Sequence, residues 1–481
     1  MTRAIDLDAV GQADAVRRGE CTPDELLDES LARVEKLDPE LNAVIHRLAD
    51  KAAAQVGQGL PDGPFRGVPM VLKDLTVHSA GDPFHEGMRF LRDLGWTEPE
   101  DSYLVAKLRA AGFVFVGRTN VPEMGLVPST EPAAYGPTRN PWDTTRSSGG
   151  SSGGTASAVA SRMVALGHGN DGGGSIRIPA SECGLFGLKP SRGRVSPGPE
   201  YGHLWEGLSA DHVLTRSVRD SAAVLDVLAG AMPGDPYVAP PPTRPFAEAV
   251  GAEPGALRVG VLVHEPNGTV EVDPECVEAT RSTAALLADL GHHVEDAAPA
   301  GLVDDSFIPN FITVYAGFAE WCLEDTARRT GRTVDASGCE PLLWGLAELS
   351  RATTPGRYVL AVQALHRFAR AVCSWWDVDG YDVLLTPTIP ELPPVLGQFT
   401  AATPDEALGP LLRSAAVVPF TAPFNVTGQP AASVPMHWSE SGLPVGVQLV
   451  AGYGREDVLL ALGAQLESAR PWADRRPPVS A

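Results

Sequence analysis

Aromatic residues, cysteines and long apolar runs are all scarce in this chain. Aromatics make up 6% of its 481 residues, and the six cysteines are scattered without a CxxC pair. That usage argues against a disulfide-stapled domain and favours reduced thiols in a cytoplasmic protein. No apolar run reaches the roughly eighteen residues that a transmembrane helix needs. An acidic residue at position 6 comes too early for a secretory signal.

Positive charge is also in short supply. The chain has 38 Lys and Arg against 60 Asp and Glu, a net charge of −22. Such a chain repels phosphate backbones, and no cluster of basic and aromatic residues offsets that repulsion. We therefore expect neither a nucleic-acid partner nor a membrane partner.

Glycine and proline are abundant, with 50 and 43 residues, and they punctuate an alternation of helical and strand patterns. Such alternation predicts an α/β protein whose sheet is covered by helices on both faces. A capping box at Thr22–Glu25 starts the first helix. Further helices are predicted at 42–54, 101–111, 155–163, 215–232, 274–290 and 456–466. Strands are predicted at 70–72, 113–117, 257–263, 383–385, 432–436 and 445–450.

Two glycine-rich loops carry the strongest chemical signal. Residues 149–155 read Gly-Gly-Ser-Ser-Gly-Gly-Thr, and residues 170–175 read Asn-Asp-Gly-Gly-Gly-Ser. Glycines let the backbone approach a ligand closely, and successive amides of such a loop can point at one developing oxyanion. A flexible linker fits poorly, because both loops are flanked by segments patterned for regular structure.

Two common motifs also match these loops. Residues 167–172 satisfy GxGxxG, but no long helix and no acidic residue follow at the dinucleotide-binding spacing. Residues 150–154 satisfy the GxSxG of a nucleophile elbow, in which Ser152 would be the nucleophile. That motif needs a strand directly before it, and residues 141–146 are not patterned as one. We interpret both matches as accidental.

Long blocks of sequence resemble the amidase signature family over nearly the whole chain. They are Gly-Val-Pro-Met-Val-Leu-Lys-Asp at 67–74, the first glycine loop, and residues 171–190, which end in Cys-Gly-Leu-Phe-Gly-Leu-Lys-Pro. Residues 423–430 and 442–448 match as well. Within the family, residues 138–142 and 452–457 are similar to the hydrolases of 6-aminohexanoate cyclic dimers, the nylon-oligomer enzymes.

This resemblance implies a role for each matching position. Ser175 corresponds to the acylated nucleophile, Lys73 to the general base, and Ser151 to a serine between them that stands in a cis-peptide arrangement with the residue after it. The oxyanion hole corresponds to Gly172, Gly173 and Gly174 with the Ser175 amide. The positions that support the loop and the lysine through hydrogen bonds correspond to Ser152, Asp171 and Arg177. No metal and no cofactor is implied.

The chemistry makes its own demands on these residues. A serine hydroxyl is a poor nucleophile until a base takes its proton, so Lys73 must rest neutral, with a pKa well below its usual value near 10.4. Ser151 can relay a proton because a hydroxyl both donates and accepts.

Plainer interpretations remain open for several of these residues. A Lys beside an Asp, as at Lys73 and Asp74, is usually a solvated surface pair. Asp171 would serve equally as a turn cap and Arg177 as a structural ion-pair residue. Cys183 is expected to be a small buried core residue.

The substrate pocket is expected after Asn120 and in the C-terminal half. Its predicted walls are residues 123–128, with Met124, Gly125 and Leu126, and residues 311–315, with Tyr315. Three tryptophans, Trp321, Trp375 and Trp376, are weaker candidates that core packing explains better. Leu126 and Tyr315 replace smaller or more polar residues of the cyclic-dimer hydrolases, so aryl amides, linear oligomers, esters and carbamates are alternative substrates.

A glutaminase subunit of a tRNA amidotransferase is another family function, although such subunits carry Gln where this chain has Ile178. We predict a single amidase domain over 1–481, with a large mixed sheet between helical layers. It divides into a helical arm (1–60), a signature core (61–220) and a sheet-completing and pocket-building region (221–481). Dimerisation through exposed helices is common in such hydrolases, and the sequence does not decide it.

Overall fold

The computed structural model describes residues 3–401 and 403–481. The helices of this part are α1 (Ala9–Arg17), α2 (Pro23–Leu41), α3 (Ala49–Gln58), α4 (Arg89–Leu94), α5 (Tyr103–Ala110), α6 (Gly153–Ala160), α7 (Arg177–Cys183), α8 (Val218–Leu228), α9 (Phe246–Val250), α10 (Pro274–Asp289), α11 (Phe307–Thr330), α12 (Pro341–Arg351), α13 (Pro355–Asp377), α14 (Gly409–Ala415), α15 (Ala422–Thr427) and α16 (Glu456–Ala469). Short 3₁₀ turns lie at Ala4–Asp6, Glu123–Gly125, Trp205–Gly207, Ala300–Leu302 and Pro404–Glu406.

The strands of the described residues are β1 (Val44–Arg47), β2 (Pro69–Lys73), β3 (Val114–Thr119), β4 (Arg139–Asn140), β5 (Asp143–Ser147), β6 (Leu166–Asp171), β7 (Phe186–Lys189), β8 (Ala210–Thr215), β9 (Arg258–Val261), β10 (His293–Asp296), β11 (Val383–Pro387), β12 (Ala431–Trp438) and β13 (Pro444–Ala451). Eleven of them form one sheet in the order β1-β3-β2-β6-β8-β7-β12-β13-β11-β9-β10, and β4 pairs with β5 in a separate hairpin. Both parallel and antiparallel pairs occur in the large sheet, which confirms the predicted mixed α/β class.

Helices cover both faces of this sheet. On β3, Val114 and Val116 pack with buried residues of α2 and α6. Phe115, which points to the opposite face, packs with α5 and α8. Because successive side chains of a strand alternate between faces, this split shows a helical layer on each side. Burial on both faces explains why central strands such as β2 and β13 are apolar at most positions.

The predicted helix at 42–54 is wrong in its first half. The capping box starts α2 as predicted, with the Glu25 amide donating to Thr22 Oγ1. Asn42 then takes the left-handed conformation at φ 51° and ends that helix. Residues 44–47 pair with β3 in the antiparallel sense, and helix α3 begins only at Ala49. Long-range pairing with a buried strand therefore outweighs the local helical pattern.

The predicted helix at 215–232 is too long at both ends. Thr215 closes strand β8, where it pairs with Leu166, and Ser217 caps a helix that covers only 218–228. The other predicted helices and strands are present, with bounds that differ by a few residues. The six cysteines are free thiols, and Cys183 is buried in the core as expected.

The sheet topology brings the two glycine loops to one edge. Strands β2 and β6 are parallel neighbours, so their carboxyl ends open at the same edge of the sheet, where α/β proteins place their ligands. Lys73 is the last residue of β2, and Asp171 is the last residue of β6. Over the described residues, no helix is both long and apolar enough to cross a membrane.

Candidate active site

Lys73 is fully buried, and so is its neighbour Asp74. The surface-pair interpretation of these two residues is therefore wrong. The Lys73 ammonium nitrogen lies 2.7 Å from Ser151 Oγ and 2.9 Å from Ser152 Oγ. It also donates to the side-chain oxygen of Asn170. Lys73 is thus held by three polar side chains.

These surroundings destabilise the protonated, positively charged form of Lys73. Burial lowers the pKa of Lys73 to about 7, against the opposing pull of the Asp211 and Asp171 carboxylates. Neither carboxylate hydrogen-bonds to the amine: Asp171 pairs with Arg177, and Asp211 contacts His168 at 3.2 Å. Near neutral pH, a large fraction of Lys73 is therefore the free amine, which is the form that can accept a proton.

Ser151 and Ser152 lie in a tight loop just before helix α6. The peptide bond between Gly150 and Ser151 is cis, so the cis bond precedes Ser151 and does not follow it. Both serines are buried. The prediction that no strand precedes this loop is wrong, because β5 (Asp143–Ser147) lies directly before it. However, β5 belongs to the small hairpin and not to the main sheet. The strand-to-helix turn at the top of a central sheet, which a nucleophile elbow needs, is absent at Ser152.

Ser175 lies in the second glycine loop, between β6 and α7, and is partly exposed. It lines a cavity of about 550 Å³ together with Ser151, Gly172 and Gly173. The hydrogen bonds of the described residues link Lys73 to Ser151 and include none to Ser175 Oγ. Ser151 and Ser175 therefore line one cavity, and the buried Lys73 is joined to it through its hydrogen bond with Ser151.

The backbone amides of the second loop divide into two groups. The Gly174 amide donates to Asp171 Oδ1 at 2.8 Å, which removes it from the predicted oxyanion hole. Within the described part of the chain, the amides of Gly172, Gly173 and Ser175 have no protein acceptor. Gly174 has a φ of +137°, and a Cβ there would lie 2.6 Å from Thr421 Oγ1. The loop thus needs glycine at this position for both conformation and space.

Asp171 and Arg177 form a fully buried ion pair behind the loop. Arg177 donates to both carboxylate oxygens, at 2.8 and 2.9 Å, and also to Asn425 Oδ1 at 2.7 Å. Although burial favours the neutral acid, the Arg177 guanidinium holds the pKa of Asp171 well below its usual range. Asp171 also accepts from the amides of the loop. Both residues support the loop as expected, but neither hydrogen-bonds to Lys73; of the three predicted supporting residues, Ser152 alone does so.

The four residues named for the predicted pocket walls line the cavity, whereas Glu123, Thr313 and Val314 of the two predicted wall segments do not. Met124, Gly125 and Leu126 form one wall, and Tyr315 on α11 forms part of a wall that packs against it. The Tyr315 hydroxyl donates to the carbonyl of Leu126, which ties the two walls together. Gly125 has a φ of +71°, and a Cβ there would lie 3.1 Å from Ser151 Oγ. The first wall therefore touches the serine that Lys73 holds.

Sequence reasoning missed several residues of this site. The ring of Trp205 packs against Gly172 and stacks with Phe318, with 5.3 Å between ring centroids. Asn170 and Asp211 both act on Lys73. Asn170 opens the second glycine-rich loop but was assigned no role there, and Asp211 belongs to no motif. The sequence signal available for Asn170 was its place directly before Asp171, where a long block that matches the amidase signature family begins.

Of the three tryptophans considered for the pocket, none lines it. Trp375 and Trp376 are core residues, as core packing predicted, and Trp321 is exposed on α11. Within 3–401 and 403–481, no group of three or more His, Cys, Asp or Glu side chains is arranged to hold a metal ion.

Comparison with known proteins shows which family and which enzymes this chain is similar to. The family model named Amidase matches residues 25–460. The chain is 44% identical to the 6-aminohexanoate-cyclic-dimer hydrolase of Pseudomonas sp. (strain NK87), over 98% of this chain and 97% of that protein.

Two solved structures are similar as well. The structure of 6-aminohexanoate cyclic dimer hydrolase complexed with substrate superimposes with a TM-score of 0.96 and 44% identity, covering 99% of this chain and 100% of that one. A bacterial aryl acylamidase of the amidase signature family superimposes with a TM-score of 0.85 and 26% identity, covering 97% of each chain. The chain belongs to the amidase family, and it is an enzyme that hydrolyses amide bonds.

Proposed function

We propose that Ser175 is the nucleophile of this amidase, Ser151 its proton relay and Lys73 its general base. The observation that carries this proposal is the 2.7 Å contact between the buried Lys73 amine and Ser151 Oγ, on the floor of a cavity that Ser175 also lines. Apo hydrogen bonds at active sites are often long and tighten when substrate binds. The absence of a direct contact to Ser175 Oγ among the described residues is compatible with that role.

The proposed reaction balances its protons within these three residues. Ser175 gives its proton to Ser151, whose own proton passes to neutral Lys73, as the Ser175 oxygen attacks the amide carbon. The free amides of Gly172, Gly173 and Ser175 are donors for the oxyanion that develops. The proton then returns through Ser151 to the leaving nitrogen, because an amide anion is too basic to leave. Water hydrolyses the acyl-enzyme by the same relay.

The cavity favours uncharged, largely apolar amides. Among its described lining residues there is no Lys, Arg or His, and the charged ones are the carboxylates Glu265, Asp304 and Asp305. A substrate carboxylate near these groups would be repelled without a cation to bind it. We propose cyclic 6-aminohexanoate oligomers and related hydrophobic amides as substrates. Linear oligomers carry a terminal ammonium as well as a terminal carboxylate, and we propose that they are accepted less well because both charged ends must leave water to enter a largely apolar cavity.

The aromatic walls support a second group of substrates, aryl amides and aryl carbamates. Trp205 and Tyr315 have ring centroids 5.0 Å apart, and Phe311 and Phe318 extend the same surface. Such a surface can stack against an aryl ring. The likeness to an aryl acylamidase supports this alternative.

The glutaminase alternative is less well supported. Free glutamine carries an α-carboxylate, and the described cavity wall offers no cationic side chain to bind it. A homodimer stays a prediction, which sedimentation of the purified protein tests directly.

Labelling with a fluorophosphonate tests the catalytic assignment. We expect one label on Ser175, lost together with amide hydrolysis in Ser175→Ala. Ser157→Ala is the matched control, because Ser157 is a buried serine of α6 whose side chain, among the described residues, hydrogen-bonds only to the Arg139 carbonyl. The assignment is wrong if Ser175→Ala keeps label and turnover, and a label on Ser152 would restore the elbow interpretation.

A further inference from the structure

The acceptors around Lys73 outnumber the N–H groups of a neutral amine. Three side-chain oxygens contact its nitrogen: Ser151 Oγ at 2.7 Å, Ser152 Oγ at 2.9 Å and Asn170 Oδ1. The backbone carbonyl oxygen of Asn170 is more distant, at 3.5 Å, and already accepts from Ser152. A protonated lysine has three N–H groups and would donate to all three. A neutral lysine has two N–H groups and one lone pair, so one of the three oxygens must face the lone pair.

Two of these oxygens are fixed as acceptors. Ser152 gives its own proton to the Asn170 carbonyl at 3.2 Å, so its oxygen faces Lys73 with lone pairs. The Asn170 amide group donates to Thr76 Oγ1 at 2.8 Å, which turns Oδ1 of the same side chain toward Lys73. Ser151 Oγ donates to no other group among the described residues, so its proton is free to point at the amine.

We propose that Asn170 is a positioning residue which, with Ser152, takes both N–H groups of neutral Lys73 and leaves the lone pair aimed at the proton of Ser151. This inference rests on the catalytic roles proposed above. In the first proton transfer, the Ser151 proton moves onto the Lys73 lone pair while Ser151 accepts the proton of Ser175. The new N–H then points at Ser151 and is ready to return when the leaving nitrogen needs it.

Other charged and titratable groups also surround Lys73, and they act differently. Asp211 on β8 and Asp171 at the end of β6 raise the pKa of Lys73 through space. His168 on β6 is a buried imidazole whose pKa is lowered by burial, and Arg118 on β3 contacts the Lys73 carbonyl at 3.1 Å. Asn170 is uncharged and contacts the amine directly, so its main effect is to orient the N–H groups and the lone pair of Lys73.

Two substitutions at Asn170 should move the pH dependence in opposite directions. The protonated lysine uses all three acceptors, so Asn170→Ala destabilises the cation and should move the acid limb to lower pH. Loss of alignment should also reduce kcat by about tenfold or more, with KM little changed. Asn170→Asp places a carboxylate against the amine and should move the acid limb up by about 1–3 pH units.

The measurement is the rate of fluorophosphonate labelling at Ser175 from pH 5 to 10, together with kcat and KM for one amide. Asn120→Ala is the matched control, since Asn120 is a buried amide that contacts Gly136 and Thr138 and not Lys73. Its acid limb should stay at the wild-type position. Thr76→Val keeps Asn170 but removes the hydroxyl that orients its amide. This variant should show the same changes as Asn170→Ala, a lower acid limb and a lower kcat, but smaller ones.

The outcomes separate this inference from the proposed function. Opposite shifts for the alanine and aspartate variants support the positioning role. Acid limbs that stay in place, or that move in the same direction, overturn it. If wild-type protein is not labelled at Ser175 at all, the catalytic assignment itself has failed.

Discussion

Gly125→Ala is a direct perturbation of the contact between the pocket wall and Ser151. An added Cβ would lie 2.6 Å from Leu75 Cδ2 and 3.1 Å from Ser151 Oγ. The leucine can rotate away, but Ser151 is held by Lys73 and must shift by a few tenths of an ångström. Since small misplacements of reacting groups cost up to about 10²-fold in rate, we expect kcat/KM to fall by about 10–100-fold.

Gly81 provides the control for this prediction. Its φ of +74° is close to the +71° of Gly125, but a Cβ at Gly81 meets nothing within 4 Å. Both alanine variants therefore carry the same left-handed backbone cost of roughly 1–2 kcal/mol, and any further loss of thermal stability in Gly125→Ala reports its contact with Leu75 and Ser151. Only Gly125→Ala should lose activity beyond about twofold. Equal activities in the two variants would refute the proposed packing of Gly125 on Ser151.

The remaining predictions concern charge and the pocket walls. Because burial lowers the pKa of Lys73 to about 7, and the protonated amine cannot accept a proton, kcat/KM should fall about tenfold per unit below that pH; a pH-independent rate from 5 to 7 would contradict this. Asp211→Asn removes a charge that raises the pKa of Lys73, so a pH–rate profile should show the acid limb at lower pH, and a shift to higher pH would count against the assignment. Asp171→Asn leaves Arg177 as an uncompensated buried charge, a loss of about 3–5 kcal/mol that thermal unfolding would report; an unchanged melting temperature would contradict it. Tyr315→Phe removes the hydrogen bond to the Leu126 carbonyl in the adjoining wall, and steady-state kinetics should show a higher KM with a smaller change in kcat; an unchanged KM would contradict it.

The fold class could be predicted because helix and strand patterns alternate along the chain. The predicted helix boundaries were wrong where pairing between residues far apart in sequence determines the secondary structure. Residues 44–47 have no strong strand pattern of their own and become a strand by pairing with β3. Thr215 ends a strand through its pairing with Leu166.

The site was predictable where motif and chemistry coincide, at Lys73, Ser151 and the glycine loop. The residues that tune it were not. Asp211 affects Lys73 through space from β8, and the Gly174 amide is already used by Asp171. Trp205 reaches the cavity from a turn with no motif, at a position fixed only by packing against Gly172. Such contacts depend on the relative placement of elements far apart in sequence.

The most direct test of the account is the identity of the acylated residue. Purified protein is mixed with a slowly deacylating amide or carbamate, quenched in acid, digested and mapped by mass spectrometry. The account predicts a single acyl group on Ser175, whose formation slows as Lys73 becomes protonated below about pH 7. An acyl group on Ser151 or Ser152, or full-rate acylation of Ser175 in Lys73→Met, would contradict it.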